Sequence, residues 1–416
     1  MFEQKRLKNG IRTIVEDMPH MNSIAMAVFV GIGSRYENEV TNGAAHFIEH
    51  MLFKGTYRRT AEETACEMDE LGGQLNAYTT KEYTCFYFKV LSEHFEKALD
   101  ILSDMLLNSK FDSDDIKRER TVIDEEISVY EDNPEDVVFD RLQYEVWNKK
   151  GLGLEILGTH DTIAAFDRDF LTDYKDKNYR TDNMVISVAG KFDKDKLYES
   201  LERAFSPLKP CEYRLEAEPG VYIPKRVAVK RSIEQLHLCL AFPAPAVIDG
   251  NYPLSVLNTA AGGGMSSRLF QKIREEKGLC YSVYSTCSLY SDASMFMIYC
   301  GLNPKNTEEA VKLCKEELLK LKEEKMPQAE LERIKNQIKS GFLLSDEATS
   351  SRCSRYGRNI LLRGNCRNVE QVLSEIDKID GKIIKSLAEE IFDFDKMSIS
   401  VVGKGKIIKD ISELKV

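Results

Sequence analysis

The chain has 416 residues, 43% hydrophobic and 30% charged, the balance of a soluble globular protein too long for one ordinary core. Domains of roughly 100–200 residues predict two or three units. A formal net charge of −10 argues against nucleic-acid binding, and no run approaches the roughly 20 apolar residues that a membrane span requires.

The opening stretch, Met1 to Met18, has no apolar signal-peptide core and no small-residue cleavage site, so the expected location is the cytoplasm. Strands are predicted near 11–16 and 23–31, then a helix near 43–54 stopped by Gly55. Thr60-Ala-Glu-Glu63 reads as a capping box opening a helix that ends at Gly72-Gly73. Two strands follow, near 74–79 and 83–90. Ser92 is then expected to cap a helix with Phe95, Leu99, Leu102 and Leu106 along one face. A further helix near 113–131 carries Ile116, Ile123, Ile127 and Tyr130 as its apolar stripe. Strands and helices come in blocks rather than strict alternation, which predicts an α+β fold. The ten cysteines include no Cys-x-x-Cys pair, and Cys85, Cys239 and Cys300 sit inside apolar runs, so reduced core thiols are expected.

The chain also repeats itself. Met184-Val-Ile-Ser-Val-Ala-Gly-Lys191 returns as Met397-Ser-Ile-Ser-Val-Val-Gly-Lys404, an offset of 213. At that offset Ile163, Phe166, Phe170 and Tyr174 match Ile376, Ile379, Ile383 and Leu387, with a helical rhythm. Ile24–Val30 resembles Leu236–Phe242, an offset of 212. Two homologous domains follow, 1–210 and 225–416, each a mainly antiparallel sheet packed with helices, joined by a linker over 211–224.

His46-Phe-Ile-Glu49-His50 lies within the first predicted long helix. Residues four apart project from one helical face, so two imidazoles there can chelate one ion, with Glu49 close by and free of ligation. The order His-x-x-Glu-His is a zinc-peptidase signature. From the five residues alone, a half-buried helix with hydrogen-bonded histidines reads equally well. A catalytic zinc needs three protein ligands and an open position. In the helix near 113–131, Glu119 and Glu126 lie about 60° and 80° from Ile116, beside the apolar stripe, while Glu125 lies about 180° away. Two carboxylates on a core-facing edge are costly unless something positive meets them. A solvated helix border is the alternative for that helix by itself; with the histidine motif upstream, the metal is the stronger reading.

His46-x-x-Glu49-His50, with Glu126 following 76 positions after His50, resembles the pitrilysin (insulinase) family of zinc peptidases. The resemblance extends over almost the whole chain. It takes in Gly72-Gly-Gln-Leu-Asn-Ala-Tyr-Thr79, the Glu125–Pro134 run and Leu157-Gly-Thr159. The two-domain length and a glycine-rich segment in the second half are similar to the branch holding the mitochondrial processing peptidase and its bacterial relatives. The resemblance implies one zinc ion per chain, bound by His46, His50 and Glu126, with Glu49 as base and Glu119 assisting. It implies an endopeptidase acting on peptides or unfolded polypeptide by a metal-activated water, processing-peptidase-like, and a homodimer. Relatives of this fold also serve as non-catalytic partners or structural subunits, which is the alternative function; those are expected to lose part of the motif, which is complete here.

At an offset of 212, His46, Glu49 and His50 map to Asn258, Ala261 and Gly262, so no second zinc site is expected. Gly262, Gly263 and Gly264 read as a flexible turn, or, by the resemblance, as a substrate-contacting loop. Arg274 and Tyr281 are similar to a family pair that reaches the scissile peptide, and both can donate to a carbonyl oxygen gaining charge. A surface arginine and a core tyrosine are the alternative. Leu75-Asn76-Ala77-Tyr78 resembles the family's edge strand that pairs with extended substrate, which places Asn76 and Ala77 at the substrate.

Overall fold

In the computed structural model the described residues are 2–211, 215–246 and 250–404; residues 212–214 of the predicted linker and the last twelve of the second predicted domain lie outside them. Strands β1 (Glu3–Arg6), β2 (Arg12–Asp17) and β3 (Ser23–Val30) precede helices α1 (Ala44–Leu52) and α2 (Ala61–Glu70). The hairpin β4 (Gln74–Thr79) and β5 (Thr84–Leu91) follows. Helices α3 (Phe95–Asn108), α4 (Ser113–Asp132), α5 (Pro134–Val146), α6 (His160–Ala165) and α7 (Arg168–Asn178) lead to β6 (Met184–Gly190) and α8 (Lys194–Phe205). The second half runs β7 (Arg226–Lys230), β8 (Leu236–Ala244), α9 (Tyr252–Ala261), a π-helical stretch Phe270–Glu276, β9 (Cys280–Leu289) and β10 (Ser294–Leu302). It closes with α10 (Thr307–Glu323), α11 (Gln328–Asp346), α12 (Thr349–Arg363), α13 (Val369–Asp377), α14 (Gly381–Ile391) and β11 (Ser398–Gly403).

The fold is α+β, built twice. One sheet has the order β1-β2-β6-β3-β5-β4 and the other β7-β11-β8-β10-β9. Each contains one parallel pair, β2 with β6 and β7 with β11, and is otherwise antiparallel. The repeat is legible element by element: α7 and α14 are both eleven residues long and stand 213 positions apart at either end. β4 forms one edge of its sheet.

Two compact units emerge, and a cut at 211–224 does not by itself separate them. The first unit comprises Met1–Ser128, Leu154–Glu218 and Leu343–Asn368; the second comprises Val129–Gly153, Pro219–Phe342 and Val369–Val416. Each therefore takes one helix from the other half of the sequence, α12 in the first unit and α5 in the second. The reason lies in the strands. Along β3, Ile24, Met26, Val28 and Val30 face one core with Phe47, Ile48, Phe86 and Leu102. Ala25, Ala27 and Phe29 face another, closed by Cys353, Tyr356 and Ile360 of α12. Both faces need cover, which is what a strand of unbroken apolar residues requires. The second unit repeats this, with Val138, Leu142 and Val146 of α5 over Cys239 and Ala241 of β8.

Two sequence expectations are corrected. Ser92 does not cap α3: it opens a short 3-10 turn, its hydroxyl donates to the Asn22 carbonyl at 3.1 Å, and the α3 N-cap is His94. Tyr130 is 44% exposed and not part of the α4 stripe, whose buried residues are Ile116, Glu119, Ile123 and Ile127. The first segment of the first unit ends at Ser128, two residues short of Tyr130, so that unit's core no longer lies beneath the helix there. The capping box does form: Thr60 accepts from the Glu63 amide and the Glu63 carboxylate accepts from the Thr60 amide at 2.7 Å. All ten cysteines are free, with Cys85, Cys239 and Cys300 buried. Among the described residues no helix is long and apolar enough to cross a membrane.

Candidate metal centre

The site begins with the seating of α1. Its N-terminal amides would be orphaned donors in a buried place. The Glu37 carboxylate meets them, accepting from Gly43 N at 2.7 Å and Ala45 N at 2.8 Å, while Asn42 Nδ2 donates to it at 3.0 Å. Burial raises the Glu37 carboxyl to about 7 against the pull of those donors. Gly43, at φ 93, and Gly158, at φ 79, pass so close that a Cβ on either would strike the other's Cα, at 2.9 and 2.8 Å. That contact gives the Leu157-Gly-Thr159 segment its part, which is to let the entry to α1 sit against the loop before α6.

From α1, His46 and His50 project together, with ring centroids 4.6 Å apart. Facing them is α4. Glu126 Oε2 lies 3.8 Å from His46 Nε2 and 3.7 Å from His50 Nε2, and the three donor atoms fall within 4.8 Å of one another. A tetrahedral zinc with bonds of about 2.0–2.2 Å sets its donor atoms roughly 3.4 Å apart, so these three fit the ion with small adjustments. Burial, with His50 beside it, pushes the His46 imidazole down to about 3, leaving a neutral ring with a lone pair for a metal. His46 Nδ1 is buried with no hydrogen-bond partner among the described residues. No other group of three or more His, Cys, Asp or Glu side chains with this spacing occurs among the described residues.

Glu49 stands beside the group without belonging to it. Burial raises its carboxyl, and the Thr79 hydroxyl, donating to Oε2 at 2.5 Å, opposes that rise. Glu119 is buried behind the site. Its Oε2 lies 3.1 Å from His50 Nδ1 and its Oε1 2.6 Å from Lys54 Nζ. Burial alone would raise this carboxyl; the His50 and Lys54 contacts outweigh it and hold it below the usual range. Glu125 is exposed. Sequence reasoning missed Thr79 and Lys54. Thr79 closes the predicted strand 74–79, and Lys54 follows His50 by four residues, a spacing that offered a signal.

β4 carries Asn76 and Ala77 at the sheet edge, with the Ala77 amide taken by Asn76 Oδ1 at 2.8 Å. A groove of about 670 Å³ lies between α2 and β4, lined by Phe53, Ala65, Met68, Leu75, Asn76 and Tyr87 among others. The other predicted residues belong to the second unit. Tyr281, at the start of β9, is 78% exposed, so it is not a core residue. The Arg274 guanidinium lies 5.5 Å from the Tyr281 ring centroid and 4.7 Å from that of Phe270. Gly262 and Gly263 are held by close packing rather than looseness. A Cβ there would meet Ser285 N at 2.3 Å and Thr259 Cα at 2.6 Å, while one on Gly264 would make only an ordinary contact with Gln337 Nε2 at 3.8 Å.

Comparison with known proteins places the chain in a family. Residues 12–160 match the family described as insulinase (peptidase family M16), and residues 165–338 match the peptidase M16 inactive domain. An uncharacterized zinc protease of Bacillus subtilis is 40% identical over 393 residues, covering 94% of this chain and 96% of that protein. Another of Rickettsia felis is 38% identical over 393 residues, covering 94% and 95%. Among solved structures, a protease from Helicobacter pylori superposes with a TM-score of 0.89 at 22% identity, covering 97% of this chain and 99% of that one. A chain of complex III2 from Candida albicans gives 0.84 at 19% identity, covering 98% and 97%, so the fold alone is common to both. The chain belongs to the insulinase family of peptidases, M16, whose named relatives here are zinc proteases.

Proposed function

We propose that this chain is a zinc-dependent endopeptidase, with His46, His50 and Glu126 holding one zinc ion and Glu49 moving the proton. The observation that carries the reading is the convergence of three donor atoms, from two histidines and a glutamate, within 4.8 Å, with the Glu49 carboxylate held by Thr79 beside them. When bound, zinc supplies a Lewis acid that polarises a peptide carbonyl and acidifies an attacking water. Thr79 occupies Glu49 Oε2, so Oε1 is the oxygen left to take the water's proton and return it to the leaving nitrogen. Glu119 accepts from His50 Nδ1, which would leave His50 Nε2 to hold the ion.

The substrate is an extended peptide or an unfolded segment. β4 is an edge strand with no further strand beside it among the described residues, and such a chain adds there as a strand, with affinity from backbone hydrogen bonds and little sequence demand. The adjoining groove, lined by Phe53, Met68, Leu75 and Tyr87 together with Thr64, Asp69 and Gln74, has room for a substrate side chain. Tyr281 and Arg274 are proposed donors to the substrate carbonyl oxygen, whether from the same chain or from a second copy in a homodimer. The test is digestion of a mixed peptide library by the purified chain. Cleavage that stops with a chelator and returns with added zinc is expected. A zinc-loaded chain that cleaves nothing refutes the enzyme and leaves a non-catalytic subunit.

A further inference from the structure

Resting on the metal centre proposed above, we infer that Lys54 is a positioning residue for zinc: it fixes the buried Glu119 carboxylate so that Glu119 orients His50. The argument begins with the carboxylate. Glu119 has a side chain 6% exposed, and a buried carboxylate must have partners for both oxygens or pay heavily in lost hydration. It has one for each. Oε2 faces His50 Nδ1 at 3.1 Å, and Oε1 faces Lys54 Nζ at 2.6 Å. With both oxygens engaged, rotation about the last side-chain bond breaks two contacts at once, so the carboxylate plane is set. His50 then has one ring nitrogen committed to Glu119 and the other, Nε2, directed to the side where Glu126 stands.

The anchor itself is well placed. Lys54 follows the end of α1, and its amide donates to the Met51 carbonyl at 3.1 Å, just as the Phe53 amide donates to the His50 carbonyl at 3.1 Å. His50 and Lys54 thus hang from one turn of backbone and meet one residue of α4. A cation at a helix C-terminus is favoured in its own right. This arrangement also separates the two glutamates of α4. Glu119, pinned by an ammonium, is kept as a hydrogen-bond acceptor behind the histidine, and Glu126, with no such lysine or arginine partner among the described residues, is left to face both imidazoles.

The sign of the effect follows from two opposed consequences of removing the ammonium. Local negative charge increases, which favours a dication. The carboxylate loses its lock, which loosens His50. Lys54 is 33% exposed, so solvent screens much of its charge, and the loss of orientation dominates. A residue bonded directly to a metal-ligating histidine typically changes affinity by about 10–100-fold when removed, and Lys54 stands one step further out. Lys54→Met is therefore expected to weaken zinc binding by about 3- to 10-fold, and Lys54→Arg to retain nearly all of it.

The measurement is zinc affinity by competition with a fluorescent chelator, on metal-free full-length protein. Wild type, Lys54→Met, Lys54→Arg, Glu119→Gln and the Glu119→Gln/Lys54→Met double variant are compared. The account predicts that Lys54→Met costs affinity only when Glu119 is present, the signature of coupling through that carboxylate. A merely structural tie between α1 and α4 would not reproduce that pattern in zinc affinity together with recovery by arginine. Unchanged or tighter binding in Lys54→Met overturns the inference, as does an equal loss with and without Glu119. A wild-type chain that takes up no zinc overturns the metal centre itself, a result distinct from either of those.

Discussion

Replacing Glu16 by glutamine tests how the borrowed helix α12 is held to the first unit. Glu16 is the last residue but one of β2, with its side chain 8% exposed, and its Oε2 accepts from Arg352 Nη1 at 2.9 Å and Tyr356 Oη at 2.8 Å. A hydrogen bond to a charged group contributes about 1.5–3 kcal/mol, and breaking a buried pair costs about 3–5 kcal/mol. Arg352 is 22% exposed and keeps Asp346 at 3.1 Å, so the lower part of that range applies, about 2–3 kcal/mol. Amide hydrogen exchange over α12 should then quicken by about 30- to 150-fold, while β5 and α3 change far less. The pH dependence gives a second check. Burial raises the Glu16 carboxyl, but Arg352 and Tyr356 outweigh it and hold it below the usual carboxylate range. A carboxylate depressed in the folded state contributes fully above its unfolded value and loses that contribution as pH falls through the folded one. Protection of α12 in the wild type, corrected for intrinsic exchange, should fall with acid in that window, and Glu16→Gln should remove this component. Exchange within threefold of wild type in the variant would refute the reasoning.

The remaining predictions concern the site. Glu126→Gln should lose most bound zinc and Glu125→Gln should not, because Glu126 faces the two imidazoles while Glu125 is exposed; metal analysis after dialysis decides, and equal behaviour of the pair rejects the ligand set. Tyr281→Phe should lower turnover by about one to three orders of magnitude, the cost of one oxyanion donor, with zinc content and melting temperature unchanged because the residue is 78% exposed. Full activity in that variant removes Tyr281 from the mechanism.

What the sequence made legible followed from periodicity. Residues four apart on a helix share a face, so His46-x-x-Glu-His50 announced a pair of convergent imidazoles. The phase of α4 separated buried Glu119 from exposed Glu125. The offset of 213 announced a duplicated fold because matching helices and strands kept their lengths. The exchanged helices were not legible, although a clue was present: β3 and β8 are apolar at odd and even positions alike, which demands cover on both faces. Nothing local says that the cover for β3 comes from Cys353, Tyr356 and Ile360, more than three hundred residues away. Ser92 misled because a short 3-10 turn intervenes before α3, and Tyr130 because a helical stripe extends only as far as the core beneath it. Lys54 escaped notice because an isolated lysine at a helix end is usually solvated, and its meaning depends on a carboxylate 65 positions on.

The central claim is that Glu49 moves the proton at a zinc centre it does not ligate. Zinc content and peptide turnover measured on the same preparation of Glu49→Gln test it most directly. The account predicts one zinc per chain, as in wild type, with cleavage abolished. Cleavage near the wild-type rate, or loss of the metal together with activity, would contradict it.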